Sequence, residues 1–165
     1  MKIIAFDQST VKTGYAVMDG TDLVRHGVID HHKVDDQWER SQMMFHSIAR
    51  LIQETKPQFV VIEGVALQTN PQVLIKLGQL QGHIMALAWS KNLPVQIYLP
   101  TEWRKILGFK QGKGVKRKDH KDAAMGYVKQ RYPIEVSEDE AEAISIALAF
   151  LIDTGVIPEE NKEEK

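Results

Sequence analysis

Two acidic residues stand where apolar runs stop. Ile3-Ile4-Ala5-Phe6 leads into Asp7, and Phe59-Val60-Val61-Ile62 leads into Glu63-Gly64. An apolar run without polar alternation fits a strand covered on both faces. An acid at its end lies at the rim of a sheet, where sites are commonly built. A third group, Ser137-Glu138-Asp139-Glu140-Ala141-Glu142, opens an apolar stretch with helical spacing. On a helix Asp139 and Glu142 share nearly one face, and Glu140 is turned about a quarter turn away. Singly, each acid has an ordinary reading. Asp7 can close the turn at Ser9-Thr10, Asp139 can favour the positive end of its helix, and Glu142 can be a solvated helix residue. Glu63 is harder to place as a solvated charge, because its strand reads as buried. Brought together without a counter-charge, Asp7, Glu63, Asp139 and Glu142 repel one another, which pushes some of their pKa values up. Divalent metal removes that difficulty. Carboxylate oxygens suit Mg²⁺ or Mn²⁺, and two ions about 4 Å apart can activate a water and stabilise the leaving oxygen of a phosphodiester.

The charge distribution points the same way. The net charge of −1 is uninformative in itself. However, Arg104, Lys105, Lys110, Lys113, Lys116, Arg117, Lys118 and Lys121 face a single acid, Asp119, within one segment. Such a segment can meet phosphates, or it can be a solvated basic loop. The stretch from Glu135 to Lys165 is acidic. With 43% hydrophobic and 26% charged residues in 165, the composition is that of a globular protein with one substantial core. The absence of cysteine excludes disulfides and thiolate metal sites and suits the cytoplasm. No run reaches the length of a membrane span, and the first strand follows Met1-Lys2 with no leader-like stretch.

The elements that must position the acids follow in order. Thr13–Met18 and Leu23–Ile29 read as strands joined at Asp19-Gly20, a hairpin signal, and with the first strand they make an antiparallel meander. A helix is expected over Gln37–Glu54, stopped by Lys56-Pro57. The strand ending at Glu63 precedes a helix opened by Asn70-Pro71, with Val73, Leu74, Leu77, Leu80, Ile84, Leu87 and Ala88 as its apolar face. Leu93–Leu99 reads as a strand and Pro100–Leu107 as a brief helix. Gly108–Lys118 reads as a flexible loop and Asp119–Arg131 as a helix. Ser137 with Glu140 forms a capping box for the last helix. The expected architecture is a mixed α/β domain over residues 1–157, with an acidic, disordered tail over 158–165.

These residues resemble the RuvC family of Holliday-junction resolvases, within the RNase H-like superfamily. Asp7 followed by Thr13-Gly14-Tyr15 is similar to the family's first motif, and Ile62-Glu63-Gly64-Val65 to the second. Leu74-Ile75-Lys76-Leu77-Gly78-Gln79-Leu80-Gln81-Gly82 resembles the helix after it, and Asp139-Glu140-Ala141-Glu142 the final acidic pair. The resemblance implies a mixed five-stranded RNase H-like sheet, three antiparallel strands and then parallel ones, flanked by helices. It implies a homodimeric endonuclease using two Mg²⁺ ions, with Mn²⁺ able to substitute, that nicks opposing strands of a four-way junction and leaves 5′-phosphate ends. Asp7, Glu63, Asp139 and Glu142 would be the ligands. Lys118 would lie at the scissile phosphate, Arg104 or Lys105 would make another backbone contact, and the remaining basic residues would hold DNA. His120 is a candidate for proton transfer.

Three departures from the cellular pattern stand out. Gln8-Ser9 replaces Pro-Gly, Glu142 replaces an aspartate, and Ala66 stands where an aromatic engages bases. They resemble the phage-type members, which implies broader action on branched DNA, forks included, in a host cytoplasm. For Trp38, Trp89 and Trp103, core or dimer packing is expected ahead of base stacking. The apolar face of the Pro71–Trp89 helix is the expected dimer contact. Three alternatives remain open at this point: a nuclease for RNA–DNA hybrids, a junction-binding protein that does not cut, and an actin-like ATPase, for which the chain is short.

Overall fold

The computed structural model describes residues 1–67 and 70–158. The expected tail therefore lies, apart from Pro158, outside the described residues. Among the described residues ten elements follow in order. Strand β1 (Lys2–Asp7), β2 (Lys12–Asp19) and β3 (Asp22–Asp30) come first, then α1 (Gln37–Thr55), β4 (Phe59–Glu63), α2 (Pro71–Ser90) and β5 (Val95–Tyr98). Helices α3 (Pro100–Ile106), α4 (Arg117–Arg131) and α5 (Glu138–Asp153) come last among them. The sheet order is β3-β2-β1-β4-β5, with β1–β2 and β2–β3 antiparallel and β1–β4 and β4–β5 parallel. This is the expected mixed five-stranded sheet. No described helix is long and apolar enough to cross a membrane.

The pleat sorts the central strands into two cores. Ile3 and Ala5 of β1, Ala16 and Met18 of β2 and Val61 of β4 face α5, with α3 and α4 packed against that helix. Ile4, Phe6, Val17, Val60 and Ile62 face the other way, onto α1 and α2. Because successive side chains alternate, Asp7 continues the Ile3–Ala5 row and Glu63 continues the Phe59–Val61 row. Both acids therefore belong to the α5 face. Since β1 and β4 run parallel with Phe6 opposite Ile62, their carboxyl ends meet at one rim.

Helix α5 is buried on nearly every side from Ala143 to Ile152. Small residues at Ala141, Ala143, Ala147 and Ala149 let it lie close to the sheet while its other faces meet α3 and α4. Gly14 shows how close. A Cβ there would stand 2.0 Å from the carbonyl oxygen of Asp139. The glycine of the Thr13-Gly14-Tyr15 motif thus makes room for the backbone that carries an acid, with no unusual φ required.

Some boundaries differ from expectation. Helix α4 begins at Arg117 instead of Asp119, because the Asp119 carboxylate accepts from the backbone N–H of Lys116 at 2.7 Å and so caps the helix from its third position. The fifth strand shrinks to Val95–Tyr98, with Asn92 at φ 56° turning the chain ahead of it. The expected apolar face of α2 splits. Leu80, Ile84 and Ala88 are buried, whereas Val73 is exposed, as is Ile75.

Gly14→Ala is expected to destabilise the protein by about 3 kcal/mol, because neither contacting backbone can yield without moving α5. A urea unfolding curve measures this.

Candidate active site

At the shared rim, α5 delivers its first turn onto the ends of β1 and β4. Ser137 caps the helix, and the Glu140 carboxylate accepts from the Ser137 backbone N–H at 2.8 Å. The other Glu140 oxygen meets His26 Nδ1 at 2.7 Å, which ties the helix start to strand β3. Burial raises the Glu140 pKa, but its bonds to Ser137 and His26 outweigh that, and it sits below the usual carboxylate range. Glu140 therefore anchors, and its neighbours Asp139 and Glu142 are aimed inward. Asp7, Asp139 and Glu142 offer carboxylate oxygens within 4.8 Å of one another.

The turn after Asp7 is closed by a different residue. Thr13 Oγ1 donates to the Ser9 carbonyl at 2.8 Å and accepts from the Ser9 N–H at 3.2 Å. The side chain of Arg40 holds the same loop through the Thr10 carbonyl at 3.1 Å.

Glu63 stands beside the three acids without belonging to their close group. Its Oε1 accepts from the Trp103 indole N–H at 2.8 Å and lies 3.9 Å from the Arg104 guanidinium. Arg104 also lies 3.6 Å from Glu142, and it stacks 4.8 Å from the Trp103 ring centre. The backbone of Glu63 is held from the opposite face of the sheet. Gln8 Nε2 donates to the Glu63 carbonyl at 2.8 Å and to Gln81 Oε1 at 3.2 Å, and Gln81 Oε1 accepts from the Val65 N–H at 3.0 Å. The β1–β4 pairing ends at Phe6 and Ile62, so Gln8 supplies with its side chain the next rung of the ladder.

The electrostatics follow from this crowding. Burial, then Glu63, Glu142 and Asp139, raise the Asp7 pKa well above the ordinary carboxylate value, against a lowering by Arg104. Burial raises Glu63, with the Trp103 hydrogen bond and Arg104 opposing it. Burial also raises Glu142, opposed by Arg104, Lys121 and Arg117. Hard oxygen donors, clustered and short of positive charge, fit Mg²⁺ or Mn²⁺.

The basic segment divides. Arg117 and Lys121, one helical turn apart, bear on the acids electrostatically. Lys121 is also paired with Glu138. Lys118, expected at the scissile phosphate, is exposed on the next face of α4, and Lys105, Lys110, Lys113 and Lys116 are exposed as well. Arg104 is not on that outer surface but among the carboxylates. His120 lies near Arg104 with Nδ1 buried and unpartnered, and burial followed by Arg104 lowers its pKa. Trp103 is fully buried, in keeping with core packing. Trp38 and Trp89 are 69% and 58% exposed, which excludes the core for both.

Sequence reasoning missed the Trp103–Glu63 bond and the Gln8–Gln81 pair. A buried indole N–H needs an acceptor, and that was the available signal for the first. The second is purely tertiary.

The sign of the pH dependence follows from the raised values. Where a carboxyl keeps its proton in the fold but loses it in the open chain, the folded state binds more protons, and stability falls as pH rises. Without metal, stability is therefore expected to fall from the ordinary carboxylate range upward through the raised values of Asp7, Glu63 and Glu142. Asp7→Asn is expected to raise the Tm in EDTA at neutral pH by about 2–4 °C, as for roughly 1 kcal/mol in a chain of this size. Thermal melts of both proteins, with the gain vanishing at acid pH, check it.

Comparison with known proteins agrees with this geometry. The family model described as "Crossover junction endodeoxyribonuclease RuvC" matches residues 3–150. The chain is 30% identical to a protein of that description from Hydrogenovibrio crunogenus, over 96% of this chain and 92% of the relative. It is 29% identical to one from Chlorobium phaeobacteroides, over 94% and 83%. The fold matches that of Thermus thermophilus RuvC solved with a Holliday junction substrate, at TM-score 0.72 and 18% identity, covering 94% of this chain and 97% of that one. The yeast mitochondrial Holliday junction resolvase Ydc2 matches at TM-score 0.58 and 12% identity, over 93% and 79%. With the family model spanning both strand-end acids and the start of α5, this chain belongs to the RuvC family of crossover junction endodeoxyribonucleases.

Proposed function

We propose that the protein resolves four-way DNA junctions by hydrolysing one phosphodiester in each of two opposing strands, with forks and other branched DNA as further substrates. The observation that carries this is the meeting of Asp7, Asp139 and Glu142 at one rim, with Glu63 beside them. A protein that only bound junctions would gain nothing from buried negative charge next to phosphates. In the hydrolysis a water oxygen bonds to phosphorus and the 3′-oxygen leaves, so the products are a 5′-phosphate and a 3′-hydroxyl. Two Mg²⁺ or Mn²⁺ ions, held by the four carboxylates, would lower the pKa of the water and offset the charge on the leaving oxygen.

The chain's own residues orient and balance. Trp103 holds one oxygen of Glu63, and Glu140 fixes the helix turn that carries Asp139 and Glu142. Arg104 and Arg117 add positive charge where the phosphate enters. Lys105, Lys110, Lys113, Lys116 and Lys118 contact neighbouring phosphates, giving a salt-sensitive affinity. His120, kept neutral by its surroundings, can accept a proton. Lys118 faces solvent, so we assign it to DNA binding ahead of charge offset at the cut.

Ala66, in place of an aromatic, and Gln8-Ser9 favour weak sequence preference at the cut. The sequence relatives from Hydrogenovibrio crunogenus and Chlorobium phaeobacteroides are bacterial, so a phage origin rests on these departures alone. Cytoplasmic action fits a cysteine-free chain that works on DNA.

Paired incisions need two sites, and we propose a homodimer through the outer face of α2. Val73 and Ile75 are 40% and 51% exposed there, an apolar surface that a second copy would cover. Ile75→Asp is expected to halve the mass measured by light scattering and to replace paired cuts by single nicks. A monomeric wild-type protein would refute the arrangement.

The decisive assay offers a labelled four-way junction, linear duplex and RNA–DNA hybrid, with and without Mg²⁺ or Mn²⁺. Metal-dependent incision of the junction is expected, with at least a ~10³-fold loss in Asp7→Asn. Binding without incision would leave a junction-binding protein, and preferred cleavage of the hybrid would move the assignment to that class.

A further inference from the structure

The acid cluster is uneven in a way that bears on how it fills with metal. Asp7, Asp139 and Glu142 form one compact oxygen group, and Glu63 is outside it. Glu63 is engaged by cationic and N–H partners instead: the Trp103 indole at 2.8 Å and Arg104 at 3.9 Å. The guanidinium reaches from Glu63 to Glu142, 3.6 Å away, and so takes a cation's position between two prospective ligands.

Arg104 is placed firmly but bonded loosely. Its guanidinium carbon lies over the ring of Trp103, 4.8 Å from the centre, and that ring is itself fully buried against Phe109. Yet its distances to the two carboxylates exceed those of charge-assisted hydrogen bonds, and its Nε is buried without a partner. An arginine fork commonly engages a carboxylate or phosphate through two short bonds, and here neither is made. The group is held by charge and can be drawn away by a better anion.

Charge counting gives the direction. Lys121 is matched by Glu138, and Arg117 is exposed and screened by solvent. One divalent ion together with Arg104 leaves the four carboxylates a single negative charge short of neutrality. A second ion would overshoot to a single positive charge, which one DNA phosphate cancels.

Resting on the metal-dependent nuclease reading of this same site, we infer that Arg104 holds the place of a second divalent cation in the DNA-free protein. Each protomer then takes one ion alone. A phosphate at the site draws the guanidinium off Glu63 and Glu142, which frees these carboxylates for the second. Strand cleavage is thereby withheld until DNA is seated, and metal alone does not complete the centre.

Counting bound Mn²⁺ by the loss of its free-ion EPR signal tests this on the full chain without DNA. The wild-type protein is expected to bind one ion per protomer and Arg104→Met to bind two, with Arg104→Lys returning to one because the charge is restored. Circular dichroism confirms that each variant is folded, and Glu63→Gln in place of Arg104→Met is expected to remain at one ion. Two ions on the DNA-free wild type, or one ion on a folded Arg104→Met, would overturn the inference. No Mn²⁺ on the wild type would remove the metal centre itself, a failure of the underlying reading that differs visibly from either result.

Discussion

Like charge held together inside a fold is the constraint on which this structure turns. Asp7, Glu63 and Glu142 all keep their protons above the ordinary carboxylate range, chiefly because burial strips them of water. Such an arrangement persists only if the surrounding chain has no cheaper way to relax. Here the relaxations are blocked one by one. Asp7 cannot withdraw because β1 lies in the middle of the sheet, paired on both sides. Glu63 is clamped through its carbonyl by Gln8 and through its carboxylate by Trp103. The start of α5 is fixed by Glu140 and pressed against Gly14. Stability lost at the rim is supplied by α5 itself, whose apolar surface is almost wholly out of water.

The strands were legible because their physics is local. Continuous apolar runs ending on an acid are strands buried on both faces, and Asn70-Pro71 and Ser137 with Glu140 are start signals whose hydrogen bonds form as expected. The acids were legible for a related reason, since pleat and helix spacing determine which side chains share a face. Periodicity could not tell which apolar residues on α2 are covered within the chain. Leu80 and Ile75 are equally apolar, yet one packs on the sheet and the other faces out.

The roles of the positive charges were the least legible part. In the sequence Arg104 is one member of a basic run, and Lys118 looks equivalent to its neighbours. Their difference lies in their place on α4, where Arg117 and Lys121 bear on the acids, and in the short helix α3, which lays Arg104 over Trp103. Four residues apart, Arg117 and Lys121 share one face of the helix, whereas Lys118 stands about 100° round from Arg117. Charge composition therefore marked out the basic segment, and only packing could separate its members.

The division of the core into two by the sheet has an evolutionary consequence. The acid cluster is built on the α5 side, whereas the exposed residues of α2 belong to the other. Drift in the outer face of α2 is thus screened from the acid cluster by a layer of Ile, Val and Phe between them. The Gln8–Gln81 pair lies on the α2 side, yet it reaches across that division at the rim through the Gln8 bond to the Glu63 carbonyl. A lineage that replaces one member must either compensate at the other or lose its grip on Glu63, so these two positions should covary while their neighbours wander independently.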